Sequence, residues 1–321
     1  MMQAVCEEAE LPSRRAVRAV LLPVLVLASI FPIDLFPPAP HDILGADGQY
    51  SGKQGQVLLI EVRAGYQAAS AAGQFMGRTV PFFHDLAGRP GMLVGLLGID
   101  MQDKPGLHEL VVVVREPQGT RQLSYGILVL EEQYPIQHLT LPSEQVDLDQ
   151  DQLLRVQTEQ ALVNTVLHHT TPERLWHSPF VEPLKGEVAG TFGRLRVING
   201  QVRSPHSGED IAAPLGTPVV AMNDGVVRLT ADHFFAGKGV VVDHGLGLYS
   251  MYFHLSEILV RDGEAVKQGQ VIGRVGATGR TTGPHLHLGV RLNGARVNPY
   301  SLIQLPLAAS GMACGNGPEG R

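Results

Sequence analysis

Two short stretches decide the reading of this chain: Ser204-Pro205-His206-Ser207-Gly208-Glu209-Asp210 and Gly283-Pro284-His285-Leu286-His287-Leu288. The second places two histidines two residues apart. In a strand, side chains at i and i+2 share a face, so His285 and His287 point into one site. The first is an H-x-x-x-D pattern. Pro205 and Gly208 disfavour a helix there, so His206 and Asp210 come from a loop or the start of a strand. A third piece, Tyr249-Ser250-Met251-Tyr252-Phe253-His254-Leu255, adds one more histidine inside a β-type run.

These residue types suit a metal. Zinc takes imidazole nitrogen and carboxylate oxygen in tetrahedral geometry, and a catalytic site keeps its fourth position open. His206, Asp210 and one of the H-x-H pair supply three ligands. Two neutral imidazoles and one carboxylate leave a net charge of about +1 on a divalent ion, which keeps it a useful Lewis acid. The two remaining histidines are then free for acid–base work or oxyanion stabilisation. Either motif alone is weak, because a lone histidine is more often packed or solvated. Their joint occurrence among closely spaced glycines carries the reading.

Outward from these pieces, residues 186–305 alternate short β-type runs with Gly, as in Val219–Ala221, Gly225–Leu229, Gly239–Asp243 and Val271–Val275. Residues 50–142 form another series of short strands separated by Gly, Pro and Asp, which suggests a β-sandwich. His84, His108 and His138 stand alone there and read as surface or packing residues. Between the two regions, 147–170 reads as a connector helix that Asp147 or Asp149 can cap, with Leu153, Leu154, Val156, Leu162, Val163, Val166 and Leu167 as its apolar set. The fold class is therefore mostly β: an N-terminal β-sandwich, a linker helix and a C-terminal all-β domain.

The 186–305 stretch resembles the lysostaphin/LytM-type zinc metallopeptidases of family M23. The matching text runs from Gly190-Thr191-Phe192-Gly193 through Pro205-His206 to Asp210, Pro214, Asp243-His244-Gly245 and Tyr252-Phe253-His254-Leu255. It ends on Gly276-Ala277-Thr278-Gly279 and Thr282-Gly283-Pro284-His285-Leu286-His287. The resemblance implies a LytM-type peptidase domain with zinc ligands at His206, Asp210 and His287, and His254 and His285 as a non-ligand catalytic pair. It implies endopeptidase action on the peptide part of bacterial cell-wall peptidoglycan, with D,D-crosslinks as the default bond and glycine bridges as another family activity. His233 and His244 match no ligand position and read as structural or exposed. Two departures stand out: Glu209 replaces a commonly apolar residue and would alter substrate contacts, and Gly289 stands where Glu often follows the H-x-H strand. Less specifically, residues 50–142 resemble the immunoglobulin-like modules found ahead of such domains.

The chain has 321 residues, enough for about two domains. Its net charge of -6 argues against a nucleic-acid-binding surface. Residues 186–305 carry net +2 and the rest −8, so the acidity lies outside the region with the histidine motifs. Two Cys exclude a disulfide framework or a Cys-based zinc site. Arg14, Arg15 and Arg18 precede the apolar run Ala19–Phe31, the pattern of a signal peptide or signal anchor over 1–31, with Val26 and Ala28 at the −3 and −1 positions of a cleavage site. That predicts an exported protein of the periplasm or cell envelope, with the N-terminus as a possible membrane anchor. Residues 306–321 read as a flexible tail. Three rivals are weaker. A non-catalytic scaffold of the same fold, recruiting another wall hydrolase, would be expected to have lost ligands. A biotinyl- or lipoyl-type carrier, suggested by Val266–Gly273, lacks a swinging-arm Lys in a tight hairpin. A binding module with a structural zinc site would close with four protein ligands.

Overall fold

The computed structural model describes residues 49–65, 70–140, 148–202 and 204–307. The apolar run Ala19–Phe31 with its arginines, Asp147 and residues 308–321 lie outside the described residues. Among the described residues, no helix is long and apolar enough to cross a membrane.

The first region carries seven strands: β1 (Gln49–Lys53), β2 (Val57–Arg63), β3 (Ser70–Phe75), β4 (Arg78–His84), β5 (Met92–Gly98), β6 (Gly106–Glu116) and β7 (Gly119–Leu130). Strict alternation builds them. On β6, Leu110, Val112 and Val114 are fully buried while Glu109, Val113 and Arg115 face water. Where the sequence predicts a two-sheet sandwich, the strands run in one hydrogen-bonded path, β1-β7-β6-β3-β4-β5-β2. The path folds over at β4, whose residues 78–81 pair with β3 and residues 82–84 with β5. Pro81 sits at that corner, where a missing N–H is tolerated. Both limbs of the folded sheet close on one core that includes Ile60, Phe75, Leu97, Leu110 and Ile127.

Next come β8 (Ile136–Leu139) and helix α1 (Gln150–His168). Asp149 caps α1: its carboxylate accepts from Gln152 N at 2.8 Å, and the Gln152 side chain accepts from Asp149 N at 3.2 Å. No residue of α1 is fully buried. Val163, Val166 and Leu167 pack on Leu229, Val241, Tyr249, Met251 and Phe253.

The remaining strands are β9 (Glu187–Val188), β10 (Leu195–Ile198), β11 (Gln201–Val202), β12 (Gly208–Ala212), β13 (Pro218–Val220), β14 (Gly225–His233), β15 (Gly237–Asp243), β16 (Leu248–Ile258), β17 (Ala265–Val266), β18 (Val271–Val275), β19 (His285–Leu292) and β20 (Ala295–Val297), followed by the short helix α2 (Pro299–Ile303). Strands β8, β10 and β11 make a small sheet of their own. The large sheet is ten-stranded, with central order β14-β15-β16-β19-β12. One of its faces buries Ile211, Val240, Val242, Tyr252, Leu286, Leu288 and Val290.

That core does not begin at residue 186. Trp176, Phe180 and Leu184 are buried in it, as is Leu307 beyond residue 305. Val57, Leu86 and Leu96 of the first region join the same core, and Phe83 meets Trp176 edge-on at 5.2 Å. A bidentate pair from Arg296 to Asp100, at 2.6 and 3.0 Å, ties the two regions at their rim.

Candidate metal centre

Strands β12 and β19 run antiparallel with Asp210 directly opposite His287. Even-numbered residues of β19 are in the core, so His285 and His287 face the other way together. His206 reaches the same place from the loop ahead of β12. Asp210 Oδ1 lies 3.2 Å from His206 Nε2, 3.0 Å from His287 Nδ1 and 3.7 Å from His285 Nε2. His206, Asp210 and His287 offer ligand atoms all within 4.8 Å of one another.

His254 comes from a backbone irregularity. The ladder between β15 and β16 shifts register between Lys238 and Val240, so an extra residue of β16 is accommodated opposite Gly239. His254 takes φ 61, a left-handed conformation costly for a residue with a Cβ. The bulge lets Phe253 and His254 both leave the core, which holds Tyr252 and Leu255 on either side. Its N–H donates to Ala236 O at 2.9 Å. The His254 and His285 rings are then 4.8 Å apart.

Three of the four rings are oriented by a carbonyl, and His287 by Asp210. His206 Nδ1 bonds Thr191 O at 3.1 Å, His254 Nδ1 bonds Thr278 O at 2.8 Å, and His285 Nδ1 bonds Gly283 O at 2.9 Å. A carbonyl only accepts, so Nδ1 carries the proton and Nε2 presents its lone pair inward. Burial pushes the His254 pKa down to about 4, against the Thr278 bond. Burial also lowers that of His287, opposed by Asp210. Burial alone would raise the Asp210 pKa, but hydrogen bonds and charge from His206 and His287 hold it well below the usual carboxylate range. An ionised carboxylate with two neutral imidazoles is the donor set a divalent ion of the zinc class takes.

Two residues outside the predicted ligand and catalytic set, Thr191 and Glu209, hold this geometry. Thr191 accepts from His206 through its carbonyl and from Asp210 N through Oγ1, at 3.0 Å. Glu209 is buried, not turned toward a substrate as expected. Its carboxylate accepts from Thr191 N at 2.5 Å, Thr191 Oγ1 at 3.1 Å and Phe192 N at 3.4 Å. Thr191 lay within the quoted Gly190–Gly193 motif, but nothing local pairs it with a residue 18 positions on. Gly208 is required by close approach: a Cβ there would come within 2.6 Å of His287 Nε2.

The other histidines stay apart from the site. His244 is fully buried, bonded to Asp224 O at 2.8 Å and Ser250 Oγ at 2.7 Å. His233 is buried against Phe253, with Nδ1 3.8 Å from Glu159. His168 closes α1, its ring on Asn164 O, and His108 stacks edge-on against Phe75.

Residues 204–299 match Peptidase family M23. Peptidoglycan DD-endopeptidase ShyA of Vibrio cholerae is 46% identical over 128 residues, covering 39% of this chain and 29% of that protein. Peptidoglycan DD-endopeptidase ShyC of the same organism is 45% identical over 117 residues, covering 36% and 27%. The matched stretch thus spans under a third of either curated relative. A crystal structure of a candidate peptidase M23 from Pseudomonas aeruginosa is 32% identical, with TM-score 0.61, covering 78% of this chain and 94% of that one.

Proposed function

The chain belongs to peptidase family M23, and from that premise we propose that it is a zinc-dependent endopeptidase hydrolysing peptide bonds in bacterial cell-wall peptidoglycan, at its crosslinks. One observation carries the reading: three ligand atoms of His206, Asp210 and His287 converge within 4.8 Å, with two further imidazoles beside them. ShyA and ShyC, by their names, act on the same class of bond.

His206, Asp210 and His287 would hold the zinc ion, which when bound would supply a Lewis acid for the scissile carbonyl and lower the pKa of water to about 7. His254, neutral at pH 7 because of its burial, takes up at Nε2 the proton that the attacking water loses. The proton gained by this His254–His285 pair, whose rings lie 4.8 Å apart, then passes to the leaving amine. The Thr278 and Gly283 carbonyls keep both rings in the tautomer this needs. Thr191 and Glu209 act as positioning residues by fixing His206 and Asp210 relative to each other.

The reading places the enzyme outside the cytoplasm, exported by the 1–31 segment. It treats 186–305 as the catalytic region and 50–142 as an immunoglobulin-like, sandwich-type module ahead of it, consistent with the folded sheet closing on one core. The test is digestion of purified peptidoglycan by the full chain and by His206→Ala and His285→Ala. Both variants are expected to lose activity while remaining folded; full activity in either sinks the assignment.

A further inference from the structure

The face of β19 that carries His285 and His287 continues through Gly289 to Arg291. Arg291 lies four positions along the strand from His287, about 13 Å at the usual rise. Arg291 Nη1 is buried and has no hydrogen-bond partner among the described residues. Its cationic neighbours are already satisfied. Arg296 is bidentate to Asp100, and Arg78 pairs with Asp103 through both terminal nitrogens. Three guanidiniums thus meet two carboxylates, and Arg291 holds the surplus charge. Burial, aided by Arg296 and opposed by Asp100, pushes its pKa down to about 10, so the cation sits desolvated yet still charged at neutral pH.

Arg291 and Leu167 line two cavities. The larger, about 630 Å³, also takes in Arg78, Asp100 and Arg296. The smaller, about 190 Å³, is bounded by Met251, Phe253 and His287 on the sheet and roofed by Val163 of α1. This second cavity runs from a proposed zinc ligand to an unpaired guanidinium, past Met251 and Phe253 on the sheet and Glu159 on the helix side. An acidic side chain or chain end of a peptide bound at the metal centre suits that layout: reacting bond at one end, carboxylate at the other. A planar guanidinium binds a carboxylate in a two-pronged fashion that no amide reproduces.

We propose that Arg291 binds a free carboxylate of the peptide substrate, a few residues from the bond cut, and so selects acidic over amidated wall peptides. The proposal rests on the peptidase reading for the identity of the substrate. Its test compares a crosslinked muropeptide bearing free carboxylates with its fully amidated counterpart, using full-length wild type, Arg291→Gln and Arg291→Lys. Binding is measured on chelator-treated protein by calorimetry, and turnover on the zinc-loaded protein. Wild type is expected to bind the carboxylate form about 10- to 100-fold more tightly, the span of one charge-assisted contact. Arg291→Gln should erase that preference in Kd and KM with kcat kept and the amidated form unaffected, while Arg291→Lys keeps part of it. Its Tm should equal or exceed wild type, since a cation without a partner contributes nothing to the fold. Equal wild-type affinity for the two forms overturns the proposal, and so does a Gln variant that loses both forms alike with a lowered Tm. Absence of turnover with the binding preference intact would instead overturn the peptidase reading alone.

Discussion

The first region and the large C-terminal sheet follow the same period-two rule and use it differently. On β6, Leu110, Val112 and Val114 enter the core and intervening residues such as Glu109 and Arg115 meet water. On β19, every second residue likewise enters the core, but the intervening ones are His285, His287, Gly289 and Arg291. Burying one face is what both sheets need to fold. What separates a scaffold from a reactive surface is the second face, and whether cross-strand neighbours there form a set. Asp210 opposite His287 does so; His108, bonded only to the Lys104 carbonyl and edge-on to Phe75, does not.

The strongest way to break this contrast is to exchange one polar group on each sheet. Asp210→Asn removes the carboxylate on which three imidazoles converge. Peptidoglycan hydrolysis should fall by at least about 100-fold, with loss of bound zinc by elemental analysis. His108→Ala should leave both unchanged; equal losses in the two variants would end the contrast.

Glycines sharpen it next. A Cβ on Gly276 would lie 2.2 Å from Ser256 N and 2.5 Å from Leu255 C, backbone atoms beside the His254 bulge. Gly276→Ala should cost about 3 kcal/mol in denaturant unfolding. Gly77→Ala meets no atom within 4 Å and carries only the strain of φ 77, about 1 kcal/mol.

The buried His244 predicts a pH effect confined to the large C-terminal sheet. Burial holds its folded pKa near 4, below the ordinary value of 6.5. The unfolded chain therefore binds the extra proton first. The stability this neutral histidine allows is complete above about pH 6.5 and is lost as pH falls toward 4, by up to roughly 3 kcal/mol. In His244→Gln that part of the pH dependence should vanish; an unchanged slope between pH 6.5 and 4 would count against it.

The smallest effect belongs to the helix. Asp149→Ala removes the cap that accepts from Gln152 N and should cost about 1 kcal/mol, seen as faster hydrogen exchange in the first turn of α1.

What was legible in the sequence is what local spacing encodes. The H-x-H strand, the loop origin of His206 and a helix cap at Asp147 or Asp149 all follow from period, proline and capping chemistry. What was not legible depends on partners far along the chain. The glutamate at 209 looked like a substrate contact because nothing nearby in sequence shows that Thr191 and Phe192 will donate to it. The His254 bulge was invisible because a strand pattern gives no sign of which residue the partner will fail to match. Trp176, Phe180 and Leu184 sit in an irregular Pro-containing segment with no period to mark them as core. The corner at Pro81 shows only in the ladder, as the point where β4 changes partners.

The core shared by Val57, Leu86 and Leu96 with Trp176 and Phe180 bears on how such a chain can be recombined. The first region cannot be exchanged for an unrelated module at a single crossover in the linker, because the replacement would leave Trp176 and its neighbours facing water. A productive chimera has to carry the graft's contact residues across the seam, including an acid in the place of Asp100 for Arg296.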